Sequence, residues 1–229
     1  MTESVVTNQA ISLSMLNMTG QIKPVLFFGG TFNPPHNGHL NLVRYVAGQM
    51  DFGLIYVVPA YHPPHKSDDA TSFEDRLEMT RILFSAKDVP ANVEISDLER
   101  HLETPSYSWR TLECLRERHP LAKIYMLIGM DMYLNLHKWA NHETLVKNYN
   151  FIILKRENLS VAKLSPGDIL MDNPHWNISS NEIRRLIVEY AKTLDKGILQ
   201  KLETLIPPEL LAYIDKRGIY RLPSMEKTE

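Results

Sequence analysis

From Pro24 onward, short continuously apolar runs alternate with stretches of helical period. Val25-Leu26-Phe27-Phe28 reads as a buried strand closing on Gly29-Gly30, and Leu40, Val43, Ala47 and Met50 then recur at helical spacing. Leu54 to Val58 is a second strand, stopped by Pro59. Ser72 is placed to cap a helix running through Leu77 to Ala86. Val93 and Ile95 mark a short strand, and a helix follows from about Ser106 to Arg118. Residues 123–128 and 151–154 are two further apolar strands with helical sequence between them. Strands this apolar, alternating with amphipathic helices, predict an α/β fold: a Rossmann-like, doubly wound parallel sheet with helices on both faces. The stretch from Ile178 onward predicts a helical C-terminal part packed on the same sheet. Residues 1–22 show no period and predict a mobile N-terminal extension, leaving 23–222 as a single domain.

Composition narrows the class. Of 229 residues, 44% are hydrophobic and 23% charged, enough to bury a real core. With 25 basic against 27 acidic side chains the formal net charge is −2, so nothing calls for a nucleic-acid backbone as partner. Cys114 is the one cysteine, which excludes an internal disulfide and fits a reducing compartment. Its setting in Leu112-Glu113-Cys114-Leu115 reads as packing rather than as a nucleophile. The chain starts without a basic, apolar leader, and runs such as residues 124–130 fall well short of the roughly 20 residues that cross a bilayer. The expectation is a cytoplasmic protein without a membrane partner; the sequence leaves a homo-oligomer open.

In a sheet of this kind ligands bind beyond the carboxyl ends of the strands, at the switch in strand order. The first such loop is Gly29-Gly30-Thr31-Phe32-Asn33-Pro34-Pro35-His36-Asn37-Gly38-His39. Its glycines allow close backbone approach, its prolines fix the path, and a helix starting at about Asn37 turns free N–H groups toward the loop. His36 and His39 add two imidazoles at that helix end, and the whole string favours a bound polyphosphate. It is neither a Walker loop nor a Gly-x-Gly-x-x-Gly turn. Near the other end stands Asn177-Ile178-Ser179-Ser180-Asn181-Glu182-Ile183-Arg184-Arg185. Ser179 and Glu182 fit a capping box, and the helix they open carries hydroxyls at its mouth and Arg184 one turn in, a second place to hold phosphate.

These two strings resemble the paired His-x-Gly-His and Ile-Ser-Ser-Thr-x-Ile-Arg motifs of the nucleotidyltransferase superfamily. More narrowly, residues 24–220 resemble the bacterial nicotinate-nucleotide adenylyltransferases. The narrower likeness rests on Pro63-Pro64-His65-Lys66, Pro105-Ser106-Tyr107-Ser108, Gly129-Met130-Asp131, Trp139, Lys155-Arg156 and the ending Tyr213-Ile214-Asp215-Lys216-Arg217-Gly218-Ile219-Tyr220. Departures from the pattern are Asn33 where the family more often has Asp, Ser108 and Asn181 where Thr is usual, and Ala140 in place of an aromatic.

The resemblance implies ATP and nicotinate mononucleotide as substrates, deamido-NAD and pyrophosphate as products, and no covalent enzyme intermediate. It assigns His39 to the α-phosphate, His36 to the triphosphate, and Ser180 with Arg184 to the β- and γ-phosphates. Gly29, Gly30, Thr31, Phe32, Gly38, Ile178 and Ser179 would complete the phosphate cradle, Gly129 and Asp131 would hold the ribose, and Arg156 would lie near the adenine or phosphates. Lys66 would meet the acceptor's phosphate, with Asn33, Tyr107, Ser108, Trp139 and Ala140 around the pyridine ring and its carboxylate. Mg²⁺ would be held through ATP phosphates and water, without a dedicated protein ligand.

Three other readings stay open at this stage. His36, His39, His62 and His65 form two His-x-x-His pairs that a transition-metal protein would also show. A non-catalytic nucleotide sensor could use the same loops. The acceptor could instead be nicotinamide mononucleotide or another phosphorylated compound. Trp109 and Trp176 read as packing.

Overall fold

The computed structural model describes residues 15–64, 71–155 and 163–220. Strands β1 (Val25–Gly30), β2 (Leu54–Pro59), β3 (Val93–Ile95), β4 (Ile124–Gly129), β5 (Asn150–Leu154) and β6 (Ile169–Met171) form one sheet in the order β3-β2-β1-β4-β5-β6, every pairing parallel. Around it pack α1 (Asn37–Gln49), α2 (Phe73–Leu83), α3 (Ser108–Arg118), α4 (Met130–Leu134), α5 (His142–Asn148), α6 (Ser180–Thr193), α7 (Lys196–Leu205) and α8 (Pro208–Arg217). This is the doubly wound architecture that the alternation of apolar and amphipathic stretches predicts.

Both faces of the sheet are covered, which explains why the strands carry apolar residues without alternation. Leu26, Phe28, Ile55, Val57, Leu127 and Ile152 face a core built with α1, α2 and the C-terminal helices α6, α7 and α8. Val25, Phe27, Tyr56, Val58, Met126 and Ile153 face the opposite core, where Leu112, Leu115 and Leu145 come from α3 and α5. The three tryptophans lie half-buried, Trp109 and Trp139 against the second core and Trp176 edge-on to Tyr45. Cys114 is half-buried against the second core as well.

Two local details differ from the sequence-based expectations. Helix α3 begins at Ser108, after Pro105, rather than at about Ser106. The edge strand β6 is an addition: three residues, too short to stand out between polar neighbours. At the N-terminal side, Leu16 bridges Ile22 and Met15 packs beside Gly53. Residues 1–14 of the expected extension lie outside the described residues. Among the described residues, no helix is long and apolar enough to cross a membrane.

The topology opens a crevice. Strand β1 pairs with β2 along all six residues, but with β4 only as far as Phe27 and Met126. Beyond that point β1 and β4 separate at their carboxyl ends, where the strand order switches and ligands of such sheets bind.

The C-terminal helices are tied to α2 by polar bonds as well as by the core. Asp75 accepts hydrogen bonds from Tyr213 Oη and Arg217 Nε, each at 2.9 Å, and from Ser72 Oγ at 2.8 Å. Burial pushes the Asp75 carboxyl up, but those three bonds outweigh it and hold the group below the usual carboxylate range.

Candidate active site

The first motif follows β1 directly into the crevice. A Cβ on Gly29 would meet the Phe27 ring at 2.7 Å and one on Gly30 would meet the Phe32 ring at 3.1 Å, so the strand end has no room for side chains. Phe32 takes a positive φ of 50°, stays buried, and stands edge-on to both Phe28 and His39. Asn33 precedes a cis peptide bond to Pro34 and is buried.

His36 is the N-cap residue of α1, and its backbone N–H donates to His39 Nδ1 at 3.2 Å. That bond makes Nδ1 of His39 an acceptor, so the neutral ring carries its proton on Nε2. The two imidazoles lie nearly stacked, centroids 3.7 Å apart. Gly38 makes this possible, because a Cβ there would sit 2.9 Å from His36 Nδ1. His36 is 6% exposed, and burial lowers its pKa from 6.5 to about 4. It is therefore a neutral hydrogen-bonding group near pH 7, not a fixed cation.

The second motif closes over the first. Ser179 is the N-cap residue of α6 and its Oγ accepts Glu182 N–H at 3.2 Å. The reciprocal half of the expected capping box is replaced, since the Glu182 carboxylate pairs with Lys201 Nζ at 2.6 Å. Ser180 Oγ donates to Pro34 O at 2.8 Å, and Arg184 donates through Nη1 to Asn33 O and through Nη2 to Asn181 Oδ1. Ile178 lies against Gly38, its Cβ 3.5 Å from where a glycine Cβ would be. Two segments some 150 residues apart thus become one wall of hydroxyl, imidazole, guanidinium and helix N–H groups, all donors suited to an anion.

Elsewhere in the chain, Gly129 ends β4 and Asp131 lies exposed in the first turn of α4. Tyr107 and Ser108 form the N-terminal turn of α3, while exposed Ala140 follows Trp139 toward α5. Lys66, His65 and Arg156 lie outside the described residues. Tyr220 is a site neighbour that the motifs do not point to: its hydroxyl donates to Asn33 Oδ1. Its place in the C-terminal string was the available signal; the contact across 187 residues was not readable.

The buried His36 carries a stability consequence. Above about pH 6.5 both folded and unfolded chains keep this histidine neutral, and it costs nothing; as pH falls toward about 4, only the unfolded chain takes the proton. The wild type is expected to lose about 3 kcal/mol more than His36→Asn between about pH 7 and pH 4, measured by urea unfolding. Parallel losses would show that folded His36 protonates without penalty.

Two helix N-termini, with hydroxyl, imidazole and guanidinium groups beside them, meet at the switch point of a 3-2-1-4-5-6 parallel sheet, the place where ligands of such sheets bind. The cytidylyltransferase-like family matches residues 27–186. The nicotinate-nucleotide adenylyltransferase of Bacillus subtilis is 32% identical over 201 residues, spanning 87% of this chain and 99% of the relative. The nicotinic acid mononucleotide adenylyltransferase of Plasmodium falciparum superposes with a TM-score of 0.74 and 25% identity in its complex with NaAD, over 86% of this chain and 97% of that one. Its complex with APC superposes at 0.72 with 26% identity and the same coverage. The chain belongs to the cytidylyltransferase-like family and, within it, to the nicotinate-nucleotide adenylyltransferases.

Proposed function

We propose that this chain transfers the adenylyl group of ATP to the 5′-phosphate of nicotinate mononucleotide, giving deamido-NAD and pyrophosphate, and does so in the cytoplasm. The observation that carries the reading is the junction of Asn33, Pro34, His36 and His39 with Ile178, Ser180 and Arg184 at the mouth of the β1–β4 crevice. An oxygen of the acceptor phosphate attacks the α-phosphorus of ATP in line; the new P–O bond forms as the bond to the β-phosphate oxygen breaks. Charge builds on the α-phosphate oxygens and the departing pyrophosphate, so fixed donors are what the step requires. His39 donates to the α-phosphate and neutral His36 to the triphosphate, while Arg184 donates to the leaving β- and γ-phosphates together with Ser180, whose hydroxyl exchanges its bond to Pro34 O for a phosphate oxygen.

Gly29, Gly30, Thr31, Phe32 and Gly38 let the polyphosphate approach backbone, Ile178 and Ser179 close the cradle, and Gly129 with Asp131 holds the ribose. Asn33, Tyr107, Ser108, Trp139 and Ala140 surround the pyridine end. Arg156 and Lys66 are assigned to the nucleotide and the acceptor phosphate on sequence grounds.

Adenylyl transfer from ATP generally employs a divalent cation. The wall offers phosphate donors rather than a cage of carboxylates, and among the described residues no group of three or more His, Cys, Asp or Glu is placed to hold a metal. That donor set fits Mg²⁺ arriving on the triphosphate, where it would offset charge on the leaving pyrophosphate.

The test is pyrophosphate release from Mg-ATP with nicotinate mononucleotide or nicotinamide mononucleotide as acceptor. Release is expected to favour the acid. Equal or reversed preference would overturn the acceptor while keeping adenylyl transfer, and no release with either would leave a nucleotide sensor.

A further inference from the structure

Two buried charged side chains stand between the phosphate loop and the loop after β2, and the mechanism above uses neither. Arg76 on α2 is 3% exposed, and Glu99, in the 3-10 turn Leu98–His101, is 5% exposed. Arg76 donates through Nη1 to Thr31 O at 2.9 Å and through Nη2 to Tyr61 O at 3.3 Å. From the other side, Tyr61 N–H donates to Glu99 Oε2 at 3.2 Å, and the fully buried Thr111 Oγ1 donates to Glu99 Oε1 at 2.7 Å. Both backbone polar groups of Tyr61 therefore end on a buried charge.

Ser106 extends the network. Its hydroxyl also interacts with the Glu99 carboxyl, its Oγ accepts His62 N–H at 2.9 Å, and its own N–H donates to His62 O at 2.8 Å. The loop after β2 and the segment entering α3 are thus laced together over Glu99. Burial raises the Glu99 pKa, against the bonds from Ser106, Thr111 and Tyr61 and the charge of Arg76. Burying such ions costs stability unless their bonds are complete, and apolar replacements would leave Thr31 O, Tyr61 O and Tyr61 N–H without these partners. What these bonds achieve is the relative placement of three loops.

We infer that Glu99 is a positioning residue for the acceptor, acting through Tyr61 and Ser106 to set the shelf made by residues 60–64 and the first turn of α3. Arg76 keys that shelf to the phosphate loop at Thr31. In-line transfer depends on placing the acceptor phosphate against the α-phosphorus, where displacements near 1 Å are costly. The inference rests on the acceptor lying beside Tyr107, Ser108 and Trp139, as proposed above.

The experiment compares Glu99→Gln, Thr111→Val and Ser106→Ala, reading KM for nicotinate mononucleotide, Kd for ATP, and the unfolding midpoint. Gln at 99 removes the charge and leaves one oxygen for three donors, Tyr61 N–H, Thr111 Oγ1 and Ser106 Oγ. Its acceptor KM is expected to rise about tenfold while the ATP Kd stays within about twofold. Thr111→Val and Ser106→Ala should move the same parameter in the same direction, by about threefold. An unchanged acceptor KM in folded Glu99→Gln, or equal shifts for both substrates, overturns the inference. Should Glu99→Gln fail to fold, Ser106→Ala decides: a selective rise in acceptor KM supports the inference and its absence overturns it. Trp139→Leu, run in parallel, separates the two levels. A raised acceptor KM in Trp139→Leu but not in Glu99→Gln overturns the inference alone, whereas an unchanged value in Trp139→Leu overturns the acceptor's placement and the inference with it.

Discussion

His39→Ala is expected to lower kcat by about 10²-fold or more in a protein that still folds, the usual cost of losing one preorganised donor at a charge-developing centre. The geometry explains why the effect should fall on kcat rather than on ATP affinity. His39 Nδ1 is committed to the His36 backbone N–H, which fixes both the ring's orientation and its donor nitrogen. A donor locked in this way gains most when negative charge grows on the α-phosphate oxygens. His39→Gln offers a useful contrast, because an amide can donate but cannot reproduce the ring's stacking on His36 or its fit beside Phe32. It should recover only a small part of the loss. A fall in kcat below about fivefold for folded His39→Ala would remove His39 from the catalytic role, since even modest acid–base or hydrogen-bonding catalysis contributes more.

The parts of this molecule that can be read from sequence are those whose physics is local. Val25 to Phe28 and Leu54 to Val58 announce buried strands because each is apolar along its whole length, and Val25 to Phe28 and Ile55 to Val58 are buried on both faces of the sheet. Ser179 announces the start of α6 because capping involves residues only three apart. The first loop is readable for the same reason: its glycines, prolines and histidines act on one another within a dozen residues. What escapes is decided by topology. Asn33 receives Arg184 across 151 residues and Tyr220 across 187, and nothing in the local pattern at either end specifies the match. Arg76 and Glu99 escape differently. On a helix or a short turn a charged residue reads as solvated surface, and only the assembled loops show that both are buried to hold backbone groups. Gly38 is intermediate: its place in the motif is evident, but its need to be glycine comes from the His36 ring folded back beside it.

Arg184 joins the two kinds of information, and its replacement is the second large effect expected. The residue lies one turn into α6, where a cation has no favourable dipole interaction, so its position needs another reason. One of its bonds goes to Asn33 O in the phosphate loop and another to Asn181 within its own helix, leaving further guanidinium N–H groups to meet phosphate oxygens. Arg184→Ala should therefore remove a phosphate contact and loosen the loop that carries His36 and His39, lowering kcat/KM for ATP by about 10²-fold or more. Arg184→Lys tests which part matters. A single ammonium keeps the charge but cannot hold Asn33 O and a phosphate in the same planar geometry. If the bridging geometry is the essential property, Lys recovers no more than about a tenth of the activity; if charge alone suffices, Lys approaches the wild type. An Ala variant with nearly wild-type kcat/KM for ATP would reduce Arg184 to a strut between α6 and the first loop, and the leaving phosphates would then depend on Ser180 and the α6 N–H groups alone.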